Sequence, residues 1–246
     1  MNLLQPTIYL VIVLAFFGIA IGRLPRLAMN RASMALAAAL MLVLLGGISY
    51  AEAFAAIDIE TLALLLAMML IVANLRISGF FGIAGSRLLA MAGKPRSFLV
   101  LVILSSGLLS ALLVNDTVCL MLTPLVVTVI ARGQLPLLPY LLALSMSANL
   151  GSVATLVGNP QNMIIGHLSG QSFAQFSAAL APVAVVGLAL EYAVLRLGFY
   201  RTLRQATIQP VPAPERPLDR RLLRLTFGVL GLVFAGFVAG FNLAWT

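Results

Sequence analysis

Two polar stretches interrupt an otherwise apolar chain, and they carry the side chains able to do chemistry. The first is Asn115-Asp116-Thr117, in the middle of the long run from Ser97 to Ala131. The second is ANLGSVATLVGNPQN, residues 148–162, which supplies Asn149, Gly151, Ser152, Thr155, Gly158, Asn159, Pro160, Gln161 and Asn162. Uncharged amides, hydroxyls and freed backbone carbonyls suit a small cation, and the backbone N–H groups that open a helix suit an anion. Asp116 adds one carboxylate, able to ligate Na+ or to carry a proton once desolvated. Asn115, Asp116 and the backbone at Gly151 are the candidate Na+ ligands.

The elements that must position these groups follow from composition. Of 246 residues, 62% are hydrophobic and 9% charged, where a soluble domain has about 25% charged. The mean hydropathy is +1.10, and apolar runs long enough to cross a bilayer recur throughout, so the fold class is an all-α polytopic membrane protein. The net charge of +8 reads as a topology label, with Lys and Arg in cytoplasmic loops, and not as a nucleic-acid surface. One cysteine, Cys119, excludes an intramolecular disulfide and reads as a packing residue, and one histidine, His167, leaves no zinc or haem cluster. The run from Pro6 to Gly22 lacks a basic leader and a small-residue cleavage site, so it reads as a span.

The expected spans are about 6–22, 32–48 and 59–75. Arg23, Arg26 and Arg31 follow the first, and Arg76, Arg87, Lys94 and Arg96 follow the third. Arg76, Arg87 and Lys94 fall on one helical face, which predicts an interfacial amphipathic helix over 76–93. The segment 97–131 is too long for one straight span and too short for two. If it crossed once, the later basic loop 200–224 would lie outside. A re-entrant hairpin with its tip at 114–117 keeps every basic loop inside, with the N-terminus outside. A broken span over 136–166 follows, with Asn159 as N-cap and Pro160 at the first helical position. A span over 173–197, a cytoplasmic linker over 199–224 (Pro210, Pro212, Pro214 and Pro217) and a last span from Leu225 complete the chain, with Trp245 as interfacial anchor. Glu191, near the inner surface, is expected to pair with Arg196.

Two half-helices therefore begin near the bilayer midplane, one after Asn115-Asp116 and one at Pro160. Discontinuous helices with midplane breaks are the mark of a secondary transporter. An intramembrane enzyme needs a nucleophile–base pair or a metal set at depth, which one peripheral histidine does not provide. A purely structural subunit would gain nothing from polar breaks that weaken a bundle.

VNDTVCLMLTPLVV (114–127) followed by ANLGSVATLVGNPQN (148–162) resembles the ion transporter superfamily of arsenite permeases, NhaD-type antiporters and divalent-anion/sodium symporters, and most nearly its bacterial anion permease, citrate-transporter-like branch. The resemblance implies a hairpin tip that binds a coupling ion and a broken helix that contacts ion and substrate. Asn115 matches the asparagine of the symporters' Ser-Asn-Thr tip, while Val114 and Asp116 replace its serine and threonine. The Asn-Asp pair is closer to the arsenite permeases. Asn149, Gly151, Gly158, Pro160 and Asn162 match the broken-helix motif. The family fold has two inverted repeats, and 1–198 corresponds to the first, with 225–246 as the opening span of a second, truncated one. The implied function is secondary transport of a small anion or arsenite coupled to Na+ or H+, with no other cofactor. The alternatives are a Na+/H+ antiporter or a non-transporting half-length subunit. The expected partners are the lipid bilayer and a second copy in a homodimer, with no nucleic acid, in a bacterial inner membrane.

Overall fold

The computed structural model describes residues 4–24, 29–91, 93–206 and 218–241. Arg26, the proline-rich part of the linker (Pro210, Pro212, Pro214, Arg216 and Pro217) and Trp245 lie outside them. The chain forms two compact units, 1–59 and 60–246, so the expected repeat 1–198 is divided between them.

The first unit pairs α1 (Leu4–Ile21) with α2 (Arg31–Leu44), joined through a two-residue antiparallel ribbon of β1 (Arg23–Leu24) and β2 (Met29–Asn30). Asn30 caps α2 by accepting from the Ser33 N–H. Ser49 and Glu52 form a capping box on α3 (Tyr50–Ala55), which satisfies two otherwise unpaired amides.

The second unit holds the polar stretches. α4 (Ile59–Ile77) ends at Ser78 and Gly79, and α5 (Phe80–Met91) packs on the hairpin. The expected helix 76–93 does not form as one piece. Gly79 has a φ of +83°, a left-handed conformation that stops a helix, so Arg76 ends α4 while Arg87 lies in α5. The hairpin is α6 (Pro95–Leu112) and α7 (Asn115–Arg132), and the broken span is α8 (Leu137–Ser152) and α9 (Pro160–Ser169). α10 (Phe173–Gly198) starts from a Ser172–Gln175 capping box. α11 (Tyr200–Gln205) turns off its end, and α12 (Arg220–Val238) begins five residues before Leu225 with Asp219 as cap.

α6 and α8 run parallel and, among the described residues, pack most extensively on each other. Phe98 meets Tyr140, with ring centroids 5.0 Å apart, and the Tyr140 hydroxyl donates to the Pro95 carbonyl at 3.0 Å. About two turns short of the tip, Ser106 hydrogen-bonds Ser147. A Cβ on Gly151 would sit 2.1 Å from the Gly107 carbonyl oxygen, so only glycine allows this approach.

Sidedness follows from three contacts. Arg96 stacks over the Tyr200 ring at 5.1 Å. The Asp219 N–H donates to the Ser78 carbonyl at 3.1 Å, and Tyr140 reaches Pro95. The end of α4, the starts of α6, α8 and α12 and the end of α10 therefore gather at one end of the unit, with Arg76, Arg96, Arg196, Arg201, Arg204, Arg220, Arg221 and Arg224. At the other end His167 Nδ1 lies 3.2 Å from Glu60 Oε2. α6 and α7 form a hairpin whose tip meets the break between α8 and α9, while α9 runs on toward the His167 end. Among the described residues five segments are long and apolar enough to cross a bilayer. Their outward faces carry Leu62, Leu66, Leu104, Leu108, Val186 and Leu190, which suits contact with lipid.

Candidate functional site

The hairpin tip docks on the break of α8–α9. Leu113 and Val114 are extended and separate α6 from α7. The Asn115 N–H then donates to the Gly158 carbonyl at 2.9 Å. The chain folds back sharply here: a Cβ on Gly158 would stand 2.1 Å from the Ser152 carbonyl oxygen. Asn159 is the N-cap expected from the sequence, accepting from the Asn162 N–H at 2.8 Å, with Pro160 at the first helical position.

A connected set of amides and hydroxyls holds the unwound residues. Asn162 Nδ2 donates to the carbonyls of Ser152 at 3.1 Å and Thr155 at 2.9 Å. Asn159 Nδ2 donates to Ser152 Oγ at 3.1 Å, and that hydroxyl donates to the Asn149 carbonyl at 2.8 Å. Thr155 Oγ1 donates to the Ala111 carbonyl at 2.6 Å, tying the break to α6 just before the tip. Asn115 Nδ2 donates to Asn149 Oδ1 at 3.0 Å. Backbone that leaves a helix inside a membrane needs this satisfaction, because lipid offers none.

The structure thus joins Asn115, Asn149, Ser152, Thr155, Gly158, Asn159 and Asn162 in one assembly. Pro160 opens α9 from its edge. Gly151 lies on the opposite side of α8 from Asn149 and faces Gly107. Asp116 is exposed beside Asn115 in the first turn of α7, Thr117 is half-buried with its N–H on the Val114 carbonyl, and Gln161 is exposed.

Two features give the junction its electrostatic character. The N-termini of α7 and α9 converge on it, since Asn115 bonds to Gly158, two residues before Pro160. Both positive dipole ends therefore meet at one place. Asn115, 8% exposed, also keeps its Oδ1 buried without a hydrogen-bond partner. An unpaired buried carbonyl oxygen costs about 1–3 kcal/mol and is an acceptor held ready for a donor or a cation. Donors and acceptors thus lie side by side, with Asp116 and Asn149 on the exposed edge.

Sequence reasoning missed three things. Ser106, Ser147 and the Ala111 carbonyl anchor the site from α6 and α8; the signal was the small-residue spacing Ser106-Gly107-Ser110 against Ser147-xxx-Gly151. Glu191 does not pair with Arg196. It is 3% exposed and neither carboxylate oxygen has a hydrogen-bond partner, while Arg196 lies over Tyr192, 5.9 Å from the ring centroid. Five residues along a helix is a rotation of about 140°, which turns the two side chains apart. Finally, beside the His167–Glu60 pair there is an open cavity of about 310 Å³ walled by Thr61, Met163, Gly166, Ser172 and Phe237.

Known proteins place this architecture. The chain is 35% identical over 186 residues to the silicon efflux transporter LSI3 of Oryza sativa subsp. japonica, covering 76% of this chain and 38% of that protein. It is 35% identical over 178 residues to the putative transporter arsB of Dictyostelium discoideum, covering 72% of this chain and 32% of that one. It is 33% identical over 151 residues to the inner membrane protein YbiR of Escherichia coli, covering 58% and 41%. The chain thus spans between about a third and two fifths of the length of these relatives. Residues 9–246 match the citrate transporter family, and with the re-entrant hairpin and broken helix in place the chain belongs to that family, one of membrane transporters and not of enzymes.

Proposed function

We propose that the protein is a secondary active transporter of a small anion or arsenite, coupled to Na+ or H+, with the hairpin–break junction as its ion and substrate site. The observation that carries this reading is the buried, unpartnered Asn115 Oδ1 beside two converging helix N-termini. The oxygen suits a cation and the N-termini suit an oxyanion, so the two ligands would neutralise each other and bind together. Asp116, next in sequence and exposed at the same edge, supplies a carboxylate to the cation or a proton to the cycle. The exposed edge would be covered by further polypeptide, either a second repeat or a second copy of this chain in a homodimer. The name of one relative, a silicon efflux transporter, adds silicic acid to the substrates worth testing. A bacterial inner membrane is the expected location, with the N-terminus outside.

The test is uptake by proteoliposomes holding the full-length gene product, under imposed Na+ or H+ gradients, with arsenite, silicic acid, sulfate and citrate. Accumulation that loses its gradient dependence in Asp116→Asn supports the reading. Exchange of Na+ for protons with no solute carried would instead make it an antiporter.

A further inference from the structure

Glu191 stands in the middle of the helix packing, away from the hairpin–break junction. Leu188, one turn earlier on α10, packs on Gly107 of α6, and Gly187 on Leu150 of α8. This sets Glu191 level with the Ser106–Ser147 hydrogen bond, where the two hydroxyl protons serve that bond and the nearby Val102 and Ala143 carbonyls. The Ser147 backbone N–H is directed at the Glu191 carboxyl, but neither oxygen has a hydrogen-bond partner of good geometry. A turn further toward the tip, Ser110 Oγ is also buried and unpartnered.

Among the described residues no positive charge answers this carboxyl. On its own helix, Tyr192 and Arg196 engage each other. From α6, Arg96 lies over Tyr200 of α11. From α8, the Tyr140 hydroxyl is bound to Pro95. Arg201 and Arg204 on α11 are exposed, as are Arg220, Arg221 and Arg224 at the start of α12. A buried carboxylate with no counter-charge and only a weak backbone contact is heavily penalised, so such a group takes up a proton or another cation or is costly to keep. At membrane depth an acidic side chain kept under those terms marks an ion pathway.

We propose that Glu191 is a second ion-binding site, a carboxyl that takes up and releases one proton during the transport cycle, separate from the Asn115 junction. No other bond changes: the proton leaves water, adds to a carboxylate oxygen, and returns to water. The proposal deepens the transport reading and rests on it for the word cycle, but its first test does not need transport.

That test is infrared difference spectroscopy of the reconstituted full-length gene product between acidic and alkaline buffer. A protonated-carboxyl C=O band that disappears in Glu191→Gln and persists in Asp116→Asn is expected. A band unchanged in Glu191→Gln overturns the proposal, even if uptake is intact. Where solute uptake is measurable, Glu191→Gln loses the pH dependence of the rate and Glu191→Asp keeps it. An unaltered pH profile in the Gln variant also overturns the proposal. If the Gln variant does not fold, the band in Glu191→Asp decides: a shifted frequency supports the assignment and an unshifted one overturns it. Absence of any transported solute would defeat the transport reading while leaving the infrared result to stand or fall alone.

Discussion

The Asn115 N–H donates to the Gly158 carbonyl across 2.9 Å, so the hairpin tip and the helix break form one junction. The same two residues bring the N-termini of α7 and α9 together. Neither half-helix alone offers both a buried acceptor and a convergent pair of dipoles.

Glycine at 158 is required by space. A methyl group there would lie 2.1 Å from a backbone oxygen, which cannot rotate away. Gly158→Ala should cost about 1–3 kcal/mol and abolish uptake. Gly228→Ala on α12, with nothing within 4 Å, should leave both unchanged. Thermal unfolding in detergent together with uptake checks the pair.

Thr155 anchors the break to α6 through the Ala111 carbonyl at 2.6 Å. Thr155→Val keeps the shape and removes the hydroxyl, so it should cost about 1 kcal/mol. Amide hydrogen exchange should quicken over 153–158 more than over α8. Equal quickening in both would show that the bond is not what holds the break.

The His167–Glu60 pair is half-exposed, at 45% and 37%. Exposed pairs contribute under about 1 kcal/mol, so His167→Ala should leave the melting temperature and its salt dependence nearly unchanged.

Sidedness gives a fourth prediction. In a Cys119→Ser background, cysteines at Lys94 and Arg204 should react with an impermeant thiol reagent from one face, and a cysteine at His167 from the other. Labelling of positions 94 and 204 from opposite faces would remove the re-entrant hairpin.

Much of this was legible in the sequence for definite reasons. The hairpin followed from a run too long for one span and too short for two, judged against the placement of the arginines. The Asn159 cap and Pro160 start followed from residue type alone. What stayed hidden depends on three-dimensional proximity. That a methyl at Gly151 would strike Gly107 cannot be seen in either helix separately. The interfacial helix failed at Gly79, because helical periodicity does not reveal a residue that takes a positive φ. Glu191 looked paired because Arg196 is near in sequence, and only the packing of α10 on α6 and α8 shows it buried alone.

The most direct measurement is the dependence of uptake on coupling-cation concentration in proteoliposomes holding the full-length gene product, wild type against Asn115→Ala. If the unpartnered Asn115 Oδ1 holds the cation, half-saturation should rise about tenfold or more, a loss near 1.4 kcal/mol. An unchanged half-saturation in a folded, transporting Asn115→Ala protein would contradict the account and move the cation site away from the hairpin tip.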